Sequence, residues 1–402
     1  MADFGGDLDT FRSEAKTWLN ANFPAALKGD IAAQTAAAAG GKEDPAARQW
    51  REAMGTKGWG VPTWPKEYGG GGLSRAEARV LAEEMAAIGA RNPIGGMGVM
   101  MFGPTLLEYG TEALKQQHMP GIVTGSVRWC QGYSEPGSGS DLASLQTRAE
   151  DKGDHWLVNG QKIWTSGANL ADWCFCLVRT DTSKKHEGIS FLLIDMRSPG
   201  VDVRPILLIN GGSPFCETFF TDVKVPKDQL FGPLNGGWTV AKRLLQFERD
   251  NISAGLGGGN IGAAAAVMSV EDAAKKYVGL DETGRIADHD LRRRIIEHRM
   301  EARAFQLTVR RAADETKSNA GPSAATSIMK YAGAKVAQDR NELLIEAFGH
   351  QGLGWDGEAY DESELALVRA WLRSKGNSIE GGTSEINLNV VSKRVLGLPD
   401  PK

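Results

Sequence analysis

Residues 155–167 read HWLVNGQKIWTSG, with apolar and polar side chains alternating on both sides of an Asn159–Gly160 pair. That pattern predicts two short strands joined by a tight hairpin, because two-residue turns favour residues that accept positive φ. ADWCFCLVRT, GISFLLIDM, VDVRPI and CETFFTDVKV follow as further short strands separated by turn residues. No helical period lies between successive strands. An antiparallel β domain is therefore expected over residues 121–235, not a string of βαβ units.

The flanks read differently. DLDTFRSEAKTWLNANF places Leu8, Phe11, Ala15, Leu19 and Phe23 near one helical face. SRAEARVLAEEMAAIGA follows a capping signal at Ser74. The loop GWGVPTWPKEYGGGGLS separates them, and residues 29–45, rich in Ala and Gly, read as a flexible insertion without chemistry. Beyond residue 236, GWTVAKRLLQFERDNISAG, HDLRRRIIEHRMEARAFQLTVRRAADE, SAATSIMKYAGAKVAQDRNELLIEAFG and SELALVRAWLRSKG are each long enough for a bundle helix. The fold class is α+β multidomain: an N-terminal α-helical domain over 1–120, the middle β domain over 121–235 and a C-terminal helical bundle over 236–402.

Length and charge narrow the function. A chain of 402 residues exceeds one small core. Its net charge of -4 gives no reason to expect nucleic acid or an anionic membrane as partner. No bilayer-length apolar run and no signal-like start is found, so no membrane insertion and a cytoplasmic location are expected. The four cysteines, Cys130, Cys174, Cys176 and Cys216, lack zinc spacing and read as buried reduced thiols, so no metal is expected. Cys174 and Cys176 alternate along DWCFCLV and should share one strand face.

Gly257, Gly259 and Gly262 form a GxGxxG string, but it follows a helical segment where a dinucleotide fingerprint requires a strand. Small-residue helix packing is the better reading. WCQGYSEPGSGSDLAS, residues 129–144, reads as a polar loop whose hydroxyls and N–H groups could ring a heterocycle or a pyrophosphate. Downstream, Trp164 offers a flat face and Ser166 a hydroxyl, as a tricyclic flavin requires.

YSEPGSGSD, GQKIWTSGA, FERDNISAG, EAFGHQG and IEGGTSEINLNVVSKRVLGLP occur in the order and spacing of the acyl-CoA dehydrogenase family, which the chain resembles from about residue 55 to 399. The resemblance implies a C-terminal four-helix bundle, bound FAD, an acyl-CoA substrate and electron-transfer flavoprotein as electron acceptor. It also implies an oligomer, either a homo-oligomeric dimer of dimers or a heterotetramer. Gln131, Tyr133 and Ser134 match flavin contacts, with Gly139 in the same loop. Ser140 matches a position near both the pyrophosphate and the substrate's pantetheine. Trp164 and Ser166 match the far side of the ring. Glu346 and Gly349 match positions that reach a neighbouring subunit's FAD, and Thr383 and Glu385 match further FAD contacts.

The reaction implied is α,β-dehydrogenation, which needs a carboxylate base for the α-proton. Family members carry it either in the C-terminal loop or on a bundle helix. Aligned on Gly382–Thr383, the loop position falls on Gly381, and Glu380 comes one residue early. Glu248 recurs at helical spacing with Leu244, Leu245, Ile252 and Gly255, and it matches the helix-borne base of isovaleryl-type and long-chain-type members. Its neighbour Arg249 matches an arginine near the substrate. A structural ion pair at Glu248, and Glu380 as base, are the competing readings. Same-fold alternatives are an oxidase, a desulfinase-type enzyme or a non-catalytic subunit of a heterotetramer. One departure stands out: the family's Arg-x-x-Phe-Gly pyrophosphate clamp is replaced by Leu280 and Thr283 in VGLDETGRIADHD, with Arg285 or Arg292–Arg293–Arg294 as substitutes.

Overall fold

A computed structural model describes residues 8–37, 40–258, 268–317 and 326–399. They divide into two units, Met1–Ile206 with Pro214–Glu248, and Leu207–Ser213 with Arg249–Lys402.

The first unit begins with helices. In α1 (Leu8–Asn22), Phe11, Ala15 and Leu19 are buried, while Leu8 at the open end is 39% exposed. Part of the Ala-rich stretch after it, residues 31–35, is helical rather than loose loop. Asp30 accepts a hydrogen bond from Ala33 N and starts α2 (Ile31–Thr35). Gln34 then donates to Leu27 O and Gly89 O and accepts from Arg91 N. Alanine is the best helix former, so an Ala-rich segment with one capping aspartate forms a turn rather than a free loop. α3 (Pro45–Lys57) has Asp44 as N-cap and ends on Gly58 at φ 74. α4 (Arg75–Ala87) starts with the full Ser74/Glu77 capping box, as the sequence predicts. α5 (Gly103–Tyr109) and α6 (Glu112–Val123) complete the helical layer.

Seven strands follow: β1 (Trp129–Gly132), β2 (Arg148–Asp151), β3 (His155–Ser166), β4 (Trp173–Arg179), β5 (Ile189–Asp195), β6 (Val201–Ile206) and β7 (Phe215–Pro226). Their order is β1-β4-β2-β3-β7-β6, with β5 on the other side of β4. Four pairings are antiparallel, while β1–β4 and the short β2–β4 bridge are parallel.

Two local expectations are corrected. Trp129–Gly132, read as the start of a polar loop, is strand β1. The hairpin expected at Asn159–Gly160 is absent: β3 runs straight through it, with a register shift between Val158 and Gly160. The turn lies earlier, where Lys152 N donates to His155 O and Gly153 takes φ 89.

Strand alternation sorts the sheet into two faces. Phe175, Leu177, Phe191 and Leu193 pack with the helical layer. Cys174, Cys176 and Val178 face the other way with Cys130, Leu192 and Cys216. All four cysteines are buried free thiols, and Cys174 and Cys176 share a face as expected. α7 (Gly237–Gly258) enters the first unit's core through Val240, Ala241 and Leu244.

In the second unit, α10 (Thr326–Phe348) packs against α8 (Val270–Tyr277), α9 (His289–Lys317) and α11 (Glu362–Ser374). Its core joins Ala273, Leu291, Ile295, Leu344, Phe348 and Leu367. α12 (Ser384–Val390) follows the glycine loop. Among the described residues, no helix is long and apolar enough to cross a membrane, and no group of side chains could hold a metal ion.

Candidate active site

β1 hands over to the loop at Gly132. A Cβ there would meet Cys174 Sγ at 2.8 Å and Cys176 Sγ at 3.0 Å, so only glycine lets the chain leave the sheet on this path. Tyr133 is 5% exposed, its ring edge-on to Phe175 and Phe191. Ser134 O accepts Ile163 N at 2.9 Å. Glu135 and Ser138 then exchange both backbone hydrogen bonds, at 3.1 and 3.0 Å, closing a tight turn. Gly139 and Ser140 lie on its exposed side.

The opposite wall comes from β3. A second register shift falls between Lys162 and Thr165, and Trp164 within it has φ 61. Positive φ is rare for a bulky residue, and such strain collects at functional sites. The bulge turns the indole outward: it is 53% exposed, with an edge-on contact to Phe215 at 6.0 Å. Ser166, half-buried, pairs with Phe215. Gln131, Tyr133, Ser134, Trp164 and Ser166 are thus carried by two stretches tied together through Ile163 and Ser134. Gln131 Nε2 is buried and has no hydrogen-bond partner among the described residues. A buried donor is costly unless paired. With the outward indole, it fits a flat heterocycle bearing acceptors on its edge.

Sequence reading missed what fixes these stretches. Lys162 Nζ donates to Glu135 Oε1 at 2.7 Å and to Tyr133 O at 3.2 Å, and both side chains are buried. Burial pushes the Glu135 carboxyl up. The Lys162 charge and hydrogen bond outweigh it, with help from Thr147 and Gln146, and hold it below its usual range. The signal was there: Lys162 follows Trp156 and Val158 on the inward phase of β3, where a lysine needs a partner.

In the second unit, Glu346 accepts Arg294 Nη1 at 2.6 Å, and Gly349 takes φ 55 just past α10. Both line a cavity of about 380 Å³ with Tyr277, Phe348 and Tyr360. Gly381 and Gly382 have φ 61 and 89, so the loop-borne base position is left-handed backbone that favours glycine. Glu380 is ion-paired with Arg373 at 2.5 Å and is 43% exposed. Thr383 caps α12, accepting from Ile386 N at 3.2 Å, and Glu385 is exposed in its first turn.

At the clamp position, Leu280 is 51% exposed and pairs with Ile286 in an isolated bridge. Asp281 collects Thr283 Oγ1 and N, Arg285 N and Arg292, and its pKa falls to about 2, chiefly through the Thr283 side chain and then the Arg285 N–H. Arg293 pairs with Asp290 and Glu297, and Arg294 with Glu346, so the arginine run is held within the chain. Glu248 and Arg249 are carried by α7, but their side chains lie outside the described residues, as do Gly259 and Gly262. Helical phase sets position 248 four residues past the fully buried Leu244.

Three family models match the chain in order: the acyl-CoA dehydrogenase N-terminal domain at residues 13–126, middle domain at 130–223 and C-terminal domain at 235–396. Acyl-CoA dehydrogenase IpdE1 of Mycobacterium tuberculosis is 35% identical over 401 residues, covering 98% of each chain. Among solved structures, the Tcur3481-Tcur3483 steroid ACAD matches with a TM-score of 0.74 at 29% identity, over 98% of each chain. The ChsE4-ChsE5 complex from Mycobacterium tuberculosis matches with a TM-score of 0.72 at 26% identity, over 100% of each chain. The chain belongs to the acyl-CoA dehydrogenase family of oxidoreductases, whose members are flavoproteins.

Proposed function

We propose that the protein binds FAD and converts an acyl-CoA thioester to the trans-2-enoyl-CoA. Gln131, Tyr133, Ser134, Gly139, Ser140, Trp164 and Ser166 would hold the cofactor from the first unit. By the resemblance, Thr383 and Glu385 would be further FAD contacts, and Glu346 and Gly349 would contact the FAD of a neighbouring subunit. FAD, when bound, would supply the hydride acceptor at N5, with electron-transfer flavoprotein as the proposed electron acceptor. Glu248 takes the substrate's α-proton, Ser140 lies near the substrate's pantetheine, and Arg249 is a further substrate contact. The pairing of Glu380 with Arg373 at 2.5 Å, with its side chain 43% exposed, supports leaving Glu380 out of the base role. What carries the reading is the ordered match of all three family domains around the outward-turned Trp164.

Likeness to the steroid ACAD supports a ring-bearing acyl group. The replaced clamp at Leu280 and Thr283, and likeness to the ChsE4-ChsE5 complex, support assembly with a non-identical chain that supplies the missing arginine.

The test is an anaerobic panel of acyl-CoAs followed by visible flavin absorbance. The wild type bleaches with its substrate. Glu248→Gln keeps FAD but slows bleaching by about 10²–10⁴-fold, the usual contribution of general-base catalysis. Normal bleaching by that variant would move the base elsewhere. Oxygen uptake without an added acceptor would instead mark the oxidase alternative.

A further inference from the structure

Glu135, 7% exposed, and Lys162, 0% exposed, are charged groups that the proposed chemistry does not use. Each sits inside a stretch that would hold the flavin. Glu135 follows Ser134, and Lys162 precedes the bulge that carries Trp164. Their side-chain bonds reach main chain in two other places, at Tyr133 and at Gln146–Thr147. Lys162 Nζ bridges Glu135 Oε1 and Tyr133 O. Glu135 Oε1 also accepts Thr147 N at 2.8 Å, and Oε2 accepts Gln146 N at 2.6 Å. Ile163 N, next to Lys162, donates to Ser134 O at 2.9 Å.

Stability alone does not explain the pair. Well-packed apolar residues of similar volume commonly match or exceed a buried ion pair. An apolar pair, however, tolerates sliding. A buried ammonium and carboxylate do not, because any shift that unpairs them exposes each to full desolvation cost.

We infer that the Glu135–Lys162 pair is the positioning device of the flavin slot, fixing the Gln131–Ser134 edge against the Trp164–Ser166 wall. The inference rests on the FAD reading given above. A misplacement of about 1 Å can cost about 10²-fold in rate, so the pair acts on turnover through geometry while touching no reacting atom.

The test uses the full-length chain, co-expressed with a partner chain if assembly requires one. Lys162→Met keeps length and volume but strips the cation from Glu135. Glu135→Gln keeps shape and removes the charge more gently. Three properties are measured: melting of the apoprotein, FAD affinity by fluorescence titration, and visible circular dichroism of the bound flavin. Lys162→Met raises the FAD dissociation constant by about tenfold or more, equivalent to about 1.4 kcal/mol. It also changes the flavin dichroism, and it lowers kcat more than it raises KM. Should Lys162→Met fail to fold, Glu135→Gln carries the test, with a rise of about threefold and the same change of dichroism. A lower melting point with unaltered FAD affinity and dichroism in the folded protein would mean a purely structural pair and overturn the inference alone. Wild-type protein that takes up no FAD overturns the flavin reading and this inference with it.

Discussion

Trp164 holds φ 61 without being glycine, and its ring is 53% exposed. Left-handed backbone costs a bulky residue about 1–2 kcal/mol. The edge contact with Phe215 returns about 0.5–1.5 kcal/mol. Trp164→Gly therefore leaves apoprotein stability within about 1 kcal/mol of wild type, because strain and contact are lost together. FAD affinity falls about five- to hundredfold, the range of about 1–3 kcal/mol measured for aromatic stacking on bases. Calorimetry and FAD titration check both halves; a large stability loss with unchanged affinity would contradict this account. Gly160 makes the complementary case. Its φ is 153, and a Cβ there would lie 2.6 Å from Thr147 Cα. Gly160→Ala should destabilise the protein by about 1–3 kcal/mol in urea unfolding, the cost of overpacking against main chain that cannot give. The sequence reads Asn159–Gly160 as a turn because glycine there signals unusual backbone. It cannot say whether the cause is a reversal or a close approach, which depends on a residue thirteen positions away.

Strand β1 and helix α2 were misread for a related reason. Trp129–Gly132 lies beside Gly- and Ser-rich turns, and its strand character comes from parallel pairing with β4, more than forty residues on. α2 is short, and what holds it is Gln34 reaching Gly89 and Arg91. Elements stabilised locally were legible, as the Ser74/Glu77 box and the Phe11–Ala15–Leu19 stripe show. Partners distant in sequence were not, and the carboxylate facing Lys162 is the clearest instance. Another distant pairing should make α6 sensitive to acid. His118 is 5% exposed, with Nε2 3.0 Å from Gln229 Oε1 and the ring edge-on to Trp129 and Trp173. Burial depresses its pKa below the ordinary 6.5, against smaller opposing effects of Gln229 and Asp228. Well above pH 6.5 the imidazole is neutral whether folded or unfolded, and this group leaves stability unaffected. As pH falls below that value the unfolded chain binds the proton first, so stability declines, by at most about 1.4 kcal/mol per pH unit. His118→Gln flattens this decline in urea unfolding between neutral and mildly acidic pH. His298 on α9, also lowered by burial, leaves a residual slope, so the difference between the two proteins is the measure.

The proposed assembly with a non-identical chain is supported by residues of the second unit. Leu280 and Thr283 stand where the family's pyrophosphate clamp would be, and Asp281 binds the Thr283 side chain into a local turn. Arg292, Arg293 and Arg294 are each engaged within the chain, at Asp281, at Asp290 with Glu297, and at Glu346. On α9, Ile296, Met300 and Leu307 are 53%, 67% and 47% exposed at spacings that align them along one stripe. Such a stripe is a candidate contact surface. A homo-oligomer would repeat the clamp defect in every subunit, whereas a non-identical chain carrying the arginine would complete the site proposed around Glu248. Purified alone, the protein should therefore show a FAD-to-chain ratio well below one. Co-expressed with a paralogous chain that carries Arg-x-x-Phe-Gly, it should elute as a complex with about one FAD for every two chains, a stoichiometry that follows from one complete site per pair. Equal FAD occupancy in the protein purified alone would show that Arg285 or another group of this chain completes the clamp. Leu280→Arg supplies the converse test, because restoring the guanidinium should raise the FAD content of the lone chain without changing its melting behaviour as apoprotein.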